Sequence, residues 1–309
     1  MAMVWICKIV LLSLLVNCVF GTEDPFKFKR TILITGSTDG IGRQTARQLA
    51  EDPENFLILH GRNFSRCENV SQWLSTQVAR ARFSCVVAEF RDLSQVVLMA
   101  KYVKQAFPGL NTLLLNAGIF PNKVRYTGYE LEETFQVNHL AHFLLSHYLT
   151  DLLITNSPSR IALTSSTVHT WLRAEAKWDD FYANQTKYNP AQVMYGIPLK
   201  YMDLYGRSKL YNVMMADSLS EKLRDKNVTV NSFHPGHWQT KLSGWTGAPV
   251  EGVRTPSYLA TSSEVETVSG KYFDQHQKVA EKNAFALSAA NRRKLWQFSE
   301  KLLSDFGLV

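Results

Sequence analysis

The stretch Thr35–Gly42 (TGSTDGIG) decides the fold, because it follows an apolar run, Thr31–Thr35 (TILIT), and opens a helical pattern near Arg43–Glu51. Glycines here permit a tight turn and a close approach of the backbone to a pyrophosphate at the helix N-terminus, where free N–H groups point. This order of strand, turn and helix predicts dinucleotide binding; the alternative is an ordinary glycine-rich connection. The residues expected to meet the cofactor are Gly36, Ser37, Thr38, Gly40, Ile41 and Gly42.

Downstream, apolar runs of strand length alternate with segments of helical period, as in βαβ units. The predicted strands are Thr31–Thr35, Asn55–His60, Arg82–Ala88, Thr112–Asn116, Arg160–Ser165, Val228–Phe233 and one at Lys271–Phe273. The predicted helices are Arg43–Glu51, Ser94–Phe107, Leu131–Thr155, Asp203–Arg224 and Asn283–Phe306. No repeat or linker interrupts this pattern, so residues 30–309 are predicted to form one doubly wound α/β Rossmann domain with a parallel sheet of about seven strands.

The composition is that of an ordinary globular chain, with 309 residues, 45% of them hydrophobic and 20% charged. The net charge of +7 is not gathered into a basic block, so nucleic-acid binding is not expected. The cysteines form no CxxC pair and no Cys/His cluster, so no metal site is expected. Only Cys67 and Cys85 fall in the predicted domain, and two cysteines cannot build a disulfide framework, so they leave the compartment open.

Residues 1–21 differ from the rest, because residues 1–20 are apolar except for Lys8, Ser13 and Asn17. This segment has the features of a signal peptide, but its roughly 20 residues also suffice for a membrane anchor. Lys27, Lys29 and Arg30 follow it, and by the positive-inside rule an anchor would leave the domain facing the cytosol. We therefore expect association with the endoplasmic reticulum or a related membrane; the alternative is secretion after cleavage.

Four triplets fit the acceptor pattern for N-glycosylation, and they begin at Asn63, Asn69, Asn184 and Asn227. This number is only slightly above chance expectation, so it is a weak indication of a lumenal domain. Asn63 also adjoins the expected site of the cofactor phosphate, where a glycan would interfere.

The end of the second predicted strand favours one cofactor over another. An Asp or Glu at this position would bind the ribose 2′-hydroxyl of NAD, but the sequence has His60-Gly-Arg62-Asn63. An arginine can form paired hydrogen bonds to a 2′-phosphate, so Arg62 favours NADP(H), and Arg43 is expected to add a second positive charge. The alternative is that both arginines are merely solvated.

Tyr205 and Lys209 are four residues apart in a helical stretch, which places the phenol and the ammonium on one face. A nearby cation favours the phenolate, so we expect Lys209 to lower the pKa of Tyr205. Tyr205 could then donate a proton to a carbonyl oxygen or accept one from an alcohol. A tyrosine and a lysine at this spacing are common by themselves. Their position after a strand ending in Ser165-Ser166 favours a catalytic role, because a serine hydroxyl there could hold the same substrate oxygen.

The motifs occur in the order found in a known family. TGSTDGIG, Asp92-Leu93, NAG at 116–118, NHLAHF at 138–143, Ser165-Ser166, YGRSK at 205–209 and HPG at 234–236 resemble the short-chain dehydrogenase/reductases over about residues 30–309. NHLAHF, the Ser-Ser-x-x-His of residues 165–169, YGRSKL and the final LWQFSEKL resemble the retinol dehydrogenase and WW-domain oxidoreductase branch.

The resemblance implies a catalytic tetrad of Asn138, Ser166, Tyr205 and Lys209. Tyr205 would be the general acid/base, Ser166 would polarise the carbonyl, Lys209 would bind the nicotinamide ribose, and Asn138 would hold a water that links Lys209 to solvent. Assigning Ser166 rather than Ser165 depends on the alignment of one strand. The remaining cofactor contacts that it implies are Asp92, Leu93, Asn116, Ala117, Gly118, Pro235, Gly236 and Thr240.

Three departures from the family pattern bear on these expectations. Leu115 replaces an asparagine, which should alter only local packing. Residues 167–200 form an enlarged loop, whose Trp171, Trp178, Phe181 and Tyr182 would either wall an apolar pocket or form a small aromatic core. The stretch 240–252, where relatives cover the substrate, is short.

The leading hypothesis is an NADP(H)-dependent oxidoreductase that acts on a small lipophilic alcohol or carbonyl, such as a retinoid, a steroid or an aldehyde. The short 240–252 stretch motivates the alternative, a cofactor-binding scaffold or sensor with little activity. Dimers or tetramers are common among similar proteins, so a homodimer is a possible assembly of this chain.

Overall fold

The computed structural model describes residues 28–172, 193–194, 197–240, 242 and 249–309. Seven strands form its main sheet, and a short antiparallel ladder pairs Val193–Met194 with Ile197–Pro198. The strands of the main sheet are β1 (Arg30–Ile34), β2 (Asn55–Gly61), β3 (Phe83–Val87), β4 (Leu110–Leu115), β5 (Ser159–Thr164), β6 (Val228–Phe233) and β7 (Tyr272–Phe273).

The strands lie in the order β3-β2-β1-β4-β5-β6-β7, and every neighbouring pair is parallel. The order reverses between β1 and β4, and in such sheets ligands bind in the crevice beyond the carboxyl ends of the strands at this point. The predicted α/β Rossmann fold with a parallel sheet of seven strands is confirmed.

Helices cover both faces of the sheet. The α-helices of four or more described residues are α1 (Gly40–Ala50), α2 (Phe64–Gln77), α3 (Leu93–Ala106), α4 (Ala141–Thr155), α5 (Leu199–Lys222), α6 (Thr255–Thr261), α7 (Ala284–Leu287) and α8 (Ala289–Asp305). Side chains of α1, α2 and α6 belong to one hydrophobic cluster, and side chains of α3, α4, α5 and α8 belong to the other.

Strand β1 shows why the sheet needs both layers. Its side chains alternate between the faces, so Ile32 and Ile34 join one cluster while Leu33 joins the other. All three are fully buried. Burial of such a side chain stabilises the fold by about 1.5–3 kcal/mol, so neither face can be left open to water.

The structure departs from the predicted helices in several places. Helices α2 and α6 were not identified in the sequence; α2 buries only Cys67, Val70 and Leu74, a stripe too narrow to stand out. The helix predicted from Leu131 begins at Glu133 and contains a π-helical turn, Gln136–Leu140, before α4. The predicted helix Asn283–Phe306 is interrupted at Ser288, whose side chain caps α8.

Cys67 of α2 and Cys85 of β3 form a disulfide, with their Cα atoms 5.7 Å apart. The sequence had left these two cysteines without a structural role. Because α2 follows β2 and packs beside β3, the bridge fastens this helix to the edge of the sheet.

Several predictions fall outside the described residues. These are the signal peptide or anchor at residues 1–21, the sequon at Asn184, the aromatic residues Trp178, Phe181 and Tyr182, and most of the stretch 240–252. Within the described ranges, no helix combines the length and apolarity needed to cross a membrane.

Candidate active site

The glycine-rich turn lies at the carboxyl end of β1. Gly36 has φ +65°, and a Cβ on it would lie 2.8 Å from the Cα of Ala117. A Cβ on Gly42 would lie 2.6 Å from the Asn116 Nδ2. Only glycine fits these two positions. Asp39 caps α1 by accepting from the Gly40 N–H, so the helix starts directly at the turn with its N-terminus toward the cavity.

Thr35 fastens this turn to the neighbouring strand β4. Its buried hydroxyl oxygen accepts from the N–H groups of Asn116 (2.8 Å) and Ala117 (2.9 Å). The Asn116 side chain in turn donates to the Thr35 carbonyl at 2.9 Å. The predicted cofactor residues Asn116, Ala117 and Gly118 therefore lie beside the turn.

His60, at the end of β2, holds the turn from the other side. Its Nδ1 accepts from the Gly36 N–H at 3.0 Å, so the Nε2 carries the proton and donates to the Ala88 carbonyl at 3.0 Å. Burial lowers the pKa of His60 to about 4, which keeps this tautomer neutral near neutral pH. No structural role for His60 was identified from the sequence.

Three arginines line the cavity, and only Arg62 is one of the two that the sequence singled out; Arg91, which follows β3, also pairs with Glu133. Arg62 lines it as predicted, together with Arg66 in the first turn of α2. Arg43 is absent from the lining, because its guanidinium lies over the Trp73 ring, 4.7 Å from the centroid. The signal for Arg66 was Asn63, whose side chain caps α2 by accepting from the Arg66 N–H.

Ser166 and Tyr205 meet at the opposite end of the cavity. They share a side-chain hydrogen bond, and the Ser166 Oγ also accepts from the Val168 N–H at 3.3 Å. Ser165 points away, donating from its hydroxyl to the Lys209 carbonyl at 2.8 Å. Of the two neighbouring serines, the structure places Ser166 beside the tyrosine, as the alignment implied.

The segment behind Ser166 is fixed by buried polar contacts. The His169 Nδ1 donates to the Ser166 carbonyl at 2.5 Å, and its ring packs edge-on against Tyr272, with the ring centroids 4.6 Å apart. Asn283 donates to the carbonyls of His169 and Leu172, each at 2.9 Å. The C-terminal part of the chain thus holds the turn that carries Ser166.

Lys209 lies one helical turn after Tyr205 and is 2% exposed. Its Nζ is 5.5 Å from the centre of the Tyr205 ring and donates to the Thr164 carbonyl at 3.2 Å. A Cβ on Gly118 would lie 3.3 Å from this ammonium. The predicted i,i+4 pair therefore shares one face of α5 and points toward the cavity.

Asn138 lies in the π-helical turn and is fully buried. Its Oδ1 accepts from the Ile119 N–H at 2.7 Å, and its Nδ2 donates to the Ile119 carbonyl and the Ser208 hydroxyl, each at 3.0 Å. These contacts join the loop after β4 to α5, so Asn138 lies directly behind Gly118 and Lys209 rather than in the cavity lining.

The protonation of the pair differs from the expectation. Burial raises the pKa of Tyr205 to about 12, and the Ser166 hydrogen bond only partly offsets this. Burial also lowers the pKa of Lys209 to about 8. Desolvation is the largest influence on the phenol, and the group that opposes it is Ser166 rather than the expected Lys209.

The other predicted cofactor residues divide into two groups. Pro235, Gly236 and Thr240 line the cavity, next to a tryptophan that sequence reasoning missed: Trp238 donates to the Pro235 carbonyl. Ser37, Asp92 and Leu93 do not line it. The Ser37 hydroxyl accepts from the His60 N–H, Asp92 caps α3, and Leu93 is buried in the core.

Together these residues line a cavity of about 560 Å³ at the switch point of the sheet. One end has the glycine turn and Arg62; the other has Ser166, Tyr205 and Lys209. The glycine cradle and the helix N-terminus suit a pyrophosphate, so the residues fit a dinucleotide lying between the two ends. Among the described residues, no group of His, Cys, Asp or Glu could hold a metal ion.

Comparison with known proteins agrees with this geometry. The short chain dehydrogenase family model matches residues 30–174. Human retinol dehydrogenase 14 is 33% identical, over 92% of this chain and 89% of that protein. The WW domain-containing oxidoreductase of Gallus gallus is 31% identical, over 89% of this chain and 68% of that protein.

Solved structures share the fold at lower identity. A protein from Mycobacterium paratuberculosis has a TM-score of 0.70 and 23% identity, covering 90% of this chain and 94% of that one. A short-chain dehydrogenase from Shigella flexneri 2a, complexed with NADP, has a TM-score of 0.58 and 21% identity, covering 82% and 100%. The chain belongs to the short-chain dehydrogenase family of oxidoreductases, in the branch that resembles retinol dehydrogenases and WW domain-containing oxidoreductase.

Proposed function

We propose that this protein is an NADP(H)-dependent oxidoreductase that interconverts a lipophilic alcohol and its carbonyl. The observation that carries the proposal is that Ser166, Tyr205 and Lys209 meet at one end of a cavity. The other end has the glycine turn, Arg62 and Arg66. NADPH, when bound, supplies the hydride. The protein's own side chains supply the proton and hold the substrate.

Tyr205 is the proton donor of this proposal. With a pKa raised to about 12, its phenol remains protonated at neutral pH, which suits carbonyl reduction. Ser166 keeps its hydroxyl at the same place, because its oxygen accepts from the Val168 N–H and because it shares a hydrogen bond with the Tyr205 side chain. A carbonyl oxygen between the two hydroxyls would receive a hydrogen bond from Ser166 and the proton from Tyr205.

Lys209 supplies a buried positive charge next to the phenol and to Gly118, where it could donate to the ribose hydroxyls of the nicotinamide. Asn138 holds the loop at Ile119 and the helix at Ser208 on either side of that ammonium. The role of Asn138 in holding a relay water stays part of the proposal.

The substrate end of the cavity favours an apolar molecule. Its described lining there includes Phe120, Val168, Met202, Trp238 and Leu242. The Phe120 ring is 4.7 Å from the ring of Tyr205, so an apolar surface borders the reacting position. We propose a retinoid, a steroid or an aldehyde of similar polarity as the substrate, membrane association through residues 1–21, and a homodimer.

The decisive experiment compares NADPH with NADH on the purified full chain in mild detergent. We expect NADPH to bind at least about tenfold more tightly, because Arg62 and Arg66 line the cavity beyond β2, where the 2′-phosphate would bind. Retinoid, steroid and aliphatic aldehyde carbonyls would then be tested by the loss of nicotinamide absorbance. A preference for NADH would remove the role of Arg62, and tight NADPH binding without any turnover would favour the scaffold alternative.

Reduction should depend on pH through Lys209. Its pKa of about 8 means that the ammonium is charged below this pH and neutral above it, while Tyr205 stays protonated throughout. The kcat/KM for NADPH reports groups of the free protein, so it should be level below pH about 8 and fall about tenfold per unit above it. A constant value up to pH about 10, with the circular dichroism unchanged, would contradict this assignment.

A further inference from the structure

Three of the four N-glycosylation triplets begin within the described residues, and in each the asparagine is exposed. They differ in position. Asn63 caps α2 next to Arg62 and Arg66 at the mouth of the cavity. Asn69 lies within α2, directly before the buried Val70. Only Asn227 lies in a turn away from the cavity.

Asn227 lies between α5 and β6 with φ +52°. The turn from Arg224 to Asn227 is exposed, and the Asn227 side chain makes no hydrogen bond to any residue that the structure describes. Val228 then enters the sheet, and Thr229 follows as its second residue, partly exposed. The amide and the threonine hydroxyl of the triplet therefore both lie at the rim of the sheet.

This rim is opposite the cavity. Strand β6 runs from Val228 to Phe233, and the cavity residues His234, Pro235 and Gly236 follow its other end. At about 3.3 Å per residue, roughly 20 Å separate Asn227 from the cavity. A glycan on Asn227 would leave cofactor and substrate access free, whereas one on Asn63 would lie over the arginines.

The disulfide is an independent observation that points to the same compartment. Cys67 is 2% exposed, and its bridge to Cys85 joins two elements that the fold already packs together. Disulfides form and persist in the secretory pathway and outside the cell, whereas cytosolic thiols are kept reduced. The bridge therefore places the folded domain on the side of the membrane where glycans are added.

We propose that Asn227 is N-glycosylated and that the domain functions on the lumenal or extracellular side, with residues 1–21 directing its translocation. The Asn227 amide nitrogen attacks the anomeric carbon of a lipid diphosphate-linked oligosaccharide; an N–C bond forms, the sugar–phosphate bond breaks, and the lipid diphosphate leaves as the amide loses one proton. The orientation is the reverse of the one predicted from Lys27, Lys29 and Arg30.

The glycan is tested on the full chain expressed in cultured animal cells. Thr229→Val removes the hydroxyl that the triplet needs but keeps a β-branched side chain in the strand, and Thr229→Ser keeps the triplet. On gels, Thr229→Val and Asn227→Gln should each migrate faster than wild type by the mass of one glycan, and Thr229→Ser should migrate like wild type. Treatment with peptide N-glycosidase should abolish the difference. Unchanged mobility in both loss variants would overturn the glycan assignment.

The compartment is tested on the same protein by thiol labelling. After denaturation, Cys67 and Cys85 should react with a maleimide only if a reductant is added, and the domain should resist external protease in sealed microsomes. Peptide mapping distinguishes these two cysteines from Cys7 and Cys18. Labelling of Cys67 or Cys85 without reductant, or cleavage in sealed microsomes, would overturn the lumenal placement. Turnover should be equal in wild type and Asn227→Gln, so these outcomes are independent of the proposed oxidoreductase activity.

Discussion

Replacing Tyr205 with phenylalanine should lower kcat for carbonyl reduction by about 10²- to 10⁴-fold, the range expected when a general acid is removed. The phenol oxygen is the only part lost. The ring would keep its contact with Phe120, whose centre lies 4.7 Å away, so the shape of the cavity should not change. Steady-state kinetics with the best carbonyl from the panel would measure the effect.

The control for this substitution lies on the same helix. Tyr201 is one turn earlier on α5 and does not line the cavity, so Tyr201→Phe should retain the wild-type kcat. NADPH should bind Tyr205→Phe with nearly the wild-type Kd, because the arginines and the glycine turn are untouched. If Tyr205→Phe turned over at the wild-type rate, Tyr205 would not be the proton donor.

Removing Arg62 and Arg66 should reverse the cofactor preference. Each charge-assisted hydrogen bond is worth about 1.5–3 kcal/mol, or roughly 10- to 150-fold in affinity. We therefore expect Arg62→Gln to raise the Kd of NADPH by at least about tenfold, and Arg62→Gln with Arg66→Gln by about 100-fold or more. The Kd of NADH should hardly change, because NADH lacks the 2′-phosphate. Fluorescence titration would measure both.

Arg43 provides a matched control of equal charge. Its guanidinium stacks on Trp73, so Arg43→Gln should leave the ratio of the NADPH and NADH affinities unchanged. A loss of NADPH preference in Arg43→Gln as large as in Arg62→Gln would restore the sequence-based assignment of Arg43 and refute the arrangement described above.

The elements that were predicted correctly from the sequence are those determined by residues close together along the chain. The glycine turn was predictable because a Cβ on Gly36 would lie 2.8 Å from the Cα of Ala117, which leaves room only for glycine. The strands were predictable because buried parallel strands form continuous apolar runs. The order of motifs along the chain then gave the positions of Tyr205 and Lys209 at the carboxyl edge of the sheet.

The features that could not be predicted depend on contacts between distant parts of the chain. Arg43 follows the turn directly, yet a tryptophan 30 positions later determines its direction. Cys67 and Cys85 meet only because α2 packs beside β3. The pKa of Tyr205 depends on burial, which a helical spacing of four residues does not reveal.

The π-helical turn at Gln136–Leu140 has a consequence for how this chain can change over evolution. An α-helix turns by about 100° per residue, and a π turn accommodates one residue more than an α turn. If that residue were deleted, either Asn138 would rotate away from Ile119, or the whole of α4 would rotate and present different side chains to β4 and β5. Insertions and deletions in this segment are therefore constrained twice, by the hydrogen bonds of Asn138 to Ile119 and by the packing of α4 on the sheet.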